Sequence, residues 1–178
     1  MTNELERIGR ELLVALGEDP TREGLRETPR RFAAAWVEFM NYEPGNADTT
    51  FESVTANQMV IVKNIRVWSI CEHHLLPFWC DVTIGYITGN KVLGLSKFAR
   101  IAHDVAHRLQ LQERIVMQIG DRIEKVCEVQ DVAVIACGEH SCMTMRGVRT
   151  PATMISSNLR GRFRTDPAMR AEFMMLAK

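Results

Sequence analysis

Apolar residues recur at helical spacing in five parts of the chain and predict its helices. The first stripe begins at Leu5 and ends where Gly17 breaks the helix. Thr28, Ser96 and Asp166 precede later stripes and are predicted N-caps, because their side-chain oxygens can accept the unpaired N–H groups of a first turn. The other stripes are Phe32, Ala35, Trp36 and Phe39; Phe98, Ile101, Ala102, Val105 and Leu109; Ile115, Ile119, Ile123 and Val126; and Met169, Phe173 and Leu176.

Strand patterns lie between these helices. Residues 78–86 alternate apolar and polar side chains, and residues 132–136 form an apolar run typical of a buried strand. Residues 59–62 and 67–70 predict two short strands, and residues 143–148 predict another. Neighbouring strands without a helix between them favour an antiparallel sheet with helices packed on one face, an α+β fold. We expect an N-terminal helical segment over 1–50 and an α+β domain over 51–178, which also contains the candidate chemistry described below.

Length and charge narrow the class of protein. The chain has 178 residues, with 22 Lys and Arg against 22 Asp and Glu, so net charge gives no reason to expect a nucleic acid or an anionic membrane as partner. The polar start lacks a signal-peptide pattern, and no apolar run is long enough to span a bilayer. We therefore expect a cytoplasmic protein with reduced thiols. Cys80, Cys127 and Cys137 lie among apolar residues and are predicted to be core.

Two short segments carry the candidate chemistry. Residues 71–74 read Cys, Glu, His, His, and residues 140–142 read His, Ser, Cys. Cys71 and His74 can bind one metal ion if the backbone between them turns, and Cys142 can supply a third ligand. In a strand, His140 and Cys142 would share one face. Three protein ligands leave a fourth position open for water, which is the pattern of a catalytic zinc site.

Each segment also has an ordinary interpretation. Cysteine is often a small buried hydrophobe, so either segment alone is compatible with a packing role. Lys97 and Arg100 lie in the first turn of a predicted helix, where cations oppose the helix dipole unless an anion is present. This arrangement suits a phosphate, although Arg100 alone is also compatible with a solvated surface.

Taken together and in order, the motifs resemble GTP cyclohydrolase I. The likeness runs from about residue 12 to the C-terminus with nearly continuous register. The matching segments are residues 16–20, 22–25, 27–29, 71–74, 94–97, 112–114, 140–142 and 146–148.

The resemblance implies a reaction and a fold. It implies a hydrolase that binds GTP, opens the guanine imidazole ring with water, expels formate and closes the product to 7,8-dihydroneopterin triphosphate. It also implies the tunnelling fold, Zn²⁺ as cofactor, and a homodecamer of two pentamers with active sites between subunits. A short N-terminal extension argues against regulation by that part of the chain.

The resemblance also assigns roles to individual residues. It implies that Cys71, His74 and Cys142 hold zinc. His140 would protonate the guanine ring, and His73 would transfer protons near the ribose. The remaining predicted site residues contact substrate: Glu113 with support from Gln112 for guanine, and Ser96, Lys97, Arg100, Arg146 and a neighbouring subunit's Arg31 for the triphosphate.

Two departures and two rival functions accompany this resemblance. Ala34 stands where many members carry a lysine, and the segment 150–159 is about one residue shorter than usual. One rival is a related tunnelling-fold enzyme that acts on a purine or pterin with another outcome. The other is a non-catalytic, zinc-stabilised nucleotide-binding module, which has no need for His73, His140 and Glu113 together. His103 and His107 lie outside the family's metal motif and are predicted to be surface or interface residues.

Overall fold

The computed structural model describes all 178 residues. The chain forms two compact units, Met1–Glu43 and Pro44–Lys178. The division into an N-terminal segment over 1–50 and a domain over 51–178 stays a prediction. None of the helices combines the length and the apolar character needed to cross a membrane.

The first unit is a pair of helices, α1 (Thr2–Ala15) and α2 (Thr28–Met40). Gly17 follows α1 with φ of +81°, a conformation that glycine adopts without a steric penalty. The predicted start of α2 shifts by one residue, because Thr28 is already helical and Glu27 is the cap. Gly9 lets the two helices approach closely, since a Cβ there would lie 3.0 Å from the Phe32 ring.

The second unit is built on a five-stranded sheet in the order β5-β2-β3-β6-β7. Its strands are β2 (Met59–Cys71), β3 (Pro77–Ile87), β5 (Leu109–Gln110), β6 (Val132–His140) and β7 (Met154–Leu159). The contacts β2–β3, β3–β6 and β6–β7 are antiparallel, as predicted, while the two-residue β5 runs parallel to the end of β2. A separate pair, β1 (Thr50–Glu52) and β4 (Lys91–Leu93), was not expected from the sequence.

Two long helices cover one face of this sheet. They are α3 (Leu95–Ala106) and α4 (Gln112–Cys127), whose buried side chains join Val82, Ile84 and Val134 in the main core. The short helices α6 (Arg162–Thr165) and α7 (Pro167–Leu176) lie on the other face, where Phe173 packs against Gly85. The sequence predicted helices on one face only. In the structure, α3 and α4 cover one face, and α6 and α7 cover part of the other.

Three strand predictions need correction. The two short strands near residues 59–70 are one strand, because a bulge between Val62 and Ile65 absorbs the polar residues there, with Asn64 at φ of +62°. Residues 143–148 do not form a strand. Helix α5 (Ser141–Thr144) begins directly after β6, and the last strand lies later, in the segment for which the pattern gave no prediction.

Candidate active site

The segment after β2 turns sharply, as metal binding by Cys71 and His74 requires. The N–H of Leu75 donates to the Cys71 carbonyl at 2.9 Å, and the Cys71 N–H donates to the Leu76 carbonyl at 2.9 Å. Leu75 has φ of +53°, which reverses the chain. The Cys71 Sγ and the His74 Nδ1 consequently lie 3.7 Å apart.

Cys142 arrives at the same place from the end of β6. The strand ends at His140, and the first turn of α5 carries Cys142 toward Cys71. The possible ligand atoms of Cys71, His74 and Cys142 all lie within 4.8 Å of one another. Residues 140–142 do not lie in one strand, so the shared strand face considered for His140 and Cys142 does not apply, but the three side chains are grouped as predicted.

The donor set suits zinc in both chemistry and spacing. Zinc binds thiolate at about 2.3 Å and imidazole at about 2.0–2.1 Å, so neighbouring ligand atoms in a tetrahedral site are about 3.5 Å apart. The 3.7 Å between Cys71 Sγ and His74 Nδ1 is close to that spacing. Two sulfurs and one nitrogen also match the ligand softness that zinc accepts.

The thiols are held where a cation would stabilise their charge. Partial burial, followed by the nearby sulfur of Cys71, raises the pKa of Cys142, and Arg146 opposes this rise. A raised pKa favours the protonated form of the Cys142 thiol until a metal ion binds the thiolate. Burial likewise raises the pKa of Cys80 to about 12 and of Cys127 to about 11. Cys80 and Cys127 are buried core residues, as predicted, and Cys137 is half-buried.

His140 occupies a defined position beside this cluster. Its ring stacks on Phe78 with a centroid distance of 4.4 Å and an interplanar angle of 10°. This stacking follows from strand register, because Phe78 and His140 are paired across β3 and β6. The Nε2 of His140 lies 3.0 Å from the Gln112 Oε1. Burial lowers the pKa of His140, while the charge of Glu113 acts in the opposite direction.

The start of α4 points two neighbouring side chains in different directions. Gln112 is fully buried, whereas Glu113 is exposed. The next residue, Arg114, binds Glu72 through both guanidinium nitrogens, at 2.5 and 3.1 Å. This helix start is therefore fixed to the turn that carries His73 and His74.

His73 is exposed next to the cluster. Its ring lies 6.2 Å from that of His74, with the two planes perpendicular. The sequence expectation placed these histidines on opposite sides of an extended chain, but residues 72–74 form a turn. A turn separates the two rings just as effectively, so one histidine can bind metal while its neighbour faces solvent.

The predicted phosphate-binding residues lie at three places. Ser96, Lys97 and Arg100 are at the start of α3, where Gly94 rather than Ser96 is the cap. There, the Lys97 Nζ donates to the Asn46 carbonyl at 2.7 Å, and Arg100 donates to the Pro44 carbonyl. The sequence showed no partner for these two cations at the start of α3. In the structure, each of them donates a hydrogen bond to a backbone carbonyl. Arg146 is exposed after α5, and Arg31 is exposed on α2 of the first unit.

Comparison with known proteins gives the family. The family model for GTP cyclohydrolase I matches residues 5–178. The chain is 48% identical to GTP cyclohydrolase 1 of Deinococcus radiodurans over 177 residues, which is 97% of this chain and 82% of that protein. It is 44% identical to GTP cyclohydrolase 1 of Sulfurihydrogenibium sp. over 176 residues, which is 98% of this chain and 94% of that protein.

The chain belongs to the GTP cyclohydrolase I family. The resemblance carried by the short motifs is thereby confirmed, and so is the expectation of an enzyme of this kind. The α+β class is confirmed by the structure, and the tunnelling fold is consistent with the family. A solved structure of an archaeosine synthase QueF-Like protein aligns with 58% of this chain at 15% identity and a TM-score of 0.47.

Within this member of the GTP cyclohydrolase I family, two features of the site had no signal in the sequence. The Phe78 stack on His140 and the Glu72–Arg114 pair join residues far apart along the chain. His103 lies on α3 and His107 is the C-cap of that helix, both outside the ligand cluster, and burial lowers the pKa of His103. His103 is half-buried, and the prediction that it is a surface or interface residue stays a prediction.

Proposed function

We propose that this chain converts GTP and water into formate and 7,8-dihydroneopterin triphosphate. The observation that carries the proposal is the grouping of Cys71, His74 and Cys142, with His140 nearby, in a chain of the GTP cyclohydrolase I family. The rival binding module needs the metal ligands but not His73, His140 and Glu113. Retention of all three favours catalysis.

The metal would be Zn²⁺, held by Cys71, His74 and Cys142. When bound, zinc would supply Lewis-acid activation of water for attack on the guanine ring. The protein's part is to hold the three donor atoms together, within 4.8 Å of one another, before the ion arrives. The Glu72–Arg114 pair supports this role, because it fixes the turn between Cys71 and His74.

His140 would act as the general acid toward the guanine imidazole ring. Its side chain is half-buried, and stacking on Phe78 limits the rotation of its ring. A proton donor contributes most when its distance and direction are fixed before substrate binds. His73, exposed beside the cluster, would transfer protons at the ribose during the later rearrangement.

Glu113 would identify the base as guanine. A carboxylate accepts hydrogen bonds only, and guanine presents two neighbouring donors, its ring N1–H and its exocyclic amino group. Adenine presents a different pattern on the same edge. Glu113 is exposed at the start of α4, so no contact within the protein core competes for its oxygens.

Ser96, Lys97, Arg100 and Arg146 would bind the triphosphate, with Arg31 of a neighbouring subunit. Lys97 and Arg100 already donate to backbone carbonyls, so they are ordered before an anion binds. The N-terminus of α3 adds the positive end of the helix dipole to the same position. Together these groups suit a highly charged anion better than the nucleoside alone.

The assembly would be a decamer of two pentamers. Exposed apolar side chains support burial between subunits, among them Trp68 on β2 and Ile155 on β7, which are 51% and 69% exposed. Strand β7 also lies at one end of the sheet with a free edge, which a strand from another subunit can cover.

A direct test is to incubate zinc-loaded protein with GTP, measure formate, and detect pterin fluorescence after oxidation. We expect formate and pterin in equal amounts from GTP, and neither from ATP. Binding of GTP without formation of formate or pterin would contradict the proposal and favour the nucleotide-binding module. Formate without pterin would favour the rival enzyme that stops at a ring-opened product.

A further inference from the structure

Gln112 makes a complete set of hydrogen bonds inside the protein. Its Nε2 lies 3.0 Å from the Ala136 carbonyl, 3.1 Å from the Met154 carbonyl and 3.1 Å from the Ser156 Oγ. Its Oε1 lies 3.0 Å from the His140 Nε2. The residue has no exposed surface. Its side chain therefore has no free group with which to support Glu113 at the guanine base.

These partners fix the orientation of the amide. Carbonyl oxygens only accept hydrogen bonds, so the atom facing Ala136 and Met154 must be the NH₂ group. The Ser156 hydroxyl donates to the Gln112 backbone carbonyl at 3.4 Å, so its oxygen can share one of the two NH₂ hydrogens with a carbonyl. The oxygen of the Gln112 amide must then face His140.

The amide orientation in turn determines how His140 is bound. An amide oxygen only accepts, so the His140 Nε2 must carry the hydrogen in this contact. The Nδ1 is left as the nitrogen that exchanges a proton with a substrate: when His140 acts as an acid it carries hydrogen on both nitrogens and gives up the one on Nδ1. Stacking on Phe78 sets the plane of the ring, and the Gln112 bond sets its rotation within that plane.

We infer that Gln112 is a positioning residue that holds His140 with Nε2–H bound and Nδ1 directed to the reaction, rather than a substrate-binding residue. This inference rests on the proposed function for its catalytic consequence. The first two residues of α4 then have different roles. Gln112 is buried and orients His140, whereas Glu113 is exposed to solvent, where a substrate can reach it.

Three variants separate this role from substrate contact and from simple packing. Gln112→Met keeps side-chain length but removes the acceptor for His140. Ser156→Ala is the matched control, since it removes one partner of Gln112 and leaves the bond to His140 in place. His140→Ala provides the background in which a residue acting through His140 has nothing left to act on.

We expect Gln112→Met to lower kcat by about 10- to 100-fold, by analogy with the loss found when the hydrogen-bond partner that orients a metal-bound histidine is removed. The Kd of GTP should change by less than about threefold, and Ser156→Ala should keep kcat within about twofold. Adding Gln112→Met to His140→Ala should cause no further loss. Three results would overturn the inference. The first is a kcat in the double variant that is lower than in His140→Ala by the full Gln112→Met factor. The others are weaker GTP binding in Gln112→Met with kcat unchanged, and a loss of kcat in Ser156→Ala as large as in Gln112→Met.

A second measurement does not depend on turnover. Two-bond ¹H–¹⁵N spectra of protein with ¹⁵N-labelled histidine distinguish the two neutral forms of a ring, and the chain has only five histidines to assign. His140 should show hydrogen on Nε2 in the wild type and a mixture in Gln112→Met. Hydrogen on Nδ1 in the wild type would overturn the inference even if GTP is converted. If the spectra are as expected but the wild-type protein does not convert GTP, the proposed function is contradicted and the positioning of His140 by Gln112 is not.

Discussion

Arg114 binds both carboxylate oxygens of Glu72, with nitrogen–oxygen distances of 2.5 and 3.1 Å. This pair joins the start of α4 to the turn between Cys71 and His74. The helix start carries the proposed guanine-binding residue, and the turn carries two proposed zinc ligands. A displacement of one is therefore transmitted to the other.

Glu72→Gln should loosen the metal site without removing a ligand. Glutamine keeps the size of the side chain but loses the charge-assisted bonds to Arg114. We expect zinc to dissociate about tenfold faster, measured with a chromogenic chelator. Glu128→Gln is the control, because it removes a carboxylate paired with Lys91 elsewhere. Equal dissociation rates in wild type and Glu72→Gln would show that the pair does not hold the turn.

The same pair should make stability depend on pH in a defined direction. The hydrogen bond from Arg114 is the main cause that lowers the pKa of Glu72 below its ordinary 4.5. A carboxyl group with a lowered folded-state pKa stabilises the fold above its unfolded pKa and loses this contribution as pH falls through the lowered value. The stability difference between wild type and Glu72→Gln, measured by urea unfolding of metal-free protein, should thus be present at pH 7 and shrink below pH 4.5. A difference that grows on acidification would contradict this.

His140→Ala should separate metal binding from proton transfer. The variant keeps all three atoms of the ligand cluster, so zinc content should stay near that of the wild type. Turnover should fall by about 10²- to 10⁴-fold, the usual contribution of a general acid. His74→Ala is the comparison and should lose zinc as well as activity. Zinc loss in His140→Ala would mean that the ligand set is wrongly assigned.

Glu113→Gln should weaken discrimination between GTP and inosine triphosphate, which lacks the exocyclic amino group. The carboxylate can accept from both donors of guanine, whereas glutamine presents an acceptor and a donor. We expect the wild type to prefer GTP by about 10²-fold or more in kcat/KM, and the variant to lose most of this preference. An unchanged ratio would assign guanine recognition to another residue.

Substitution of Asp166 tests how much the N-cap of α7 contributes to stability, independently of function. The Asp166 carboxylate accepts the N–H of Ala168 at 2.8 Å and of Met169 at 3.2 Å, which caps α7 as the sequence predicted. Asp166→Ala should reduce the free energy of unfolding by about 1 kcal/mol, and Asp166→Asn, which keeps an acceptor, should recover most of it. Equal stability of the alanine variant and the wild type would mean that the cap contributes little.

Local patterns predicted the parts of the fold in which apolar spacing matches burial. The alternation from Phe78 to Tyr86 places one face of β3 in the core, and the structure confirms it. Strand β7 was missed because its inward Ser156 is polar and is satisfied by Gln112 rather than by apolar packing. The false strand at residues 143–148 contains Met145 and Val148, which are 63% and 74% exposed, so its alternation does not reflect burial.

In the candidate site, too, local motifs were predictable from the sequence and long-range contacts were not. Cys71, His74 and Cys142 were predicted as a group because thiol and imidazole side chains in short motifs have few alternative roles. The Glu72–Arg114 pair joins residues 42 positions apart, and the Gln112–His140 bond joins residues 28 apart. Such contacts depend on how strands and helices come together, and no local spacing reports them.

X-ray absorption at the zinc edge tests the central claim most directly, because it counts the atoms around the ion. For wild-type protein loaded with zinc, the account predicts two sulfurs at about 2.3 Å, one nitrogen at about 2.0–2.1 Å and one further light atom from solvent. Cys142→Ser should remove one sulfur from this shell. A wild-type shell with four protein ligands, or one whose sulfur count is unchanged in Cys142→Ser, would contradict an open site held by Cys71, His74 and Cys142.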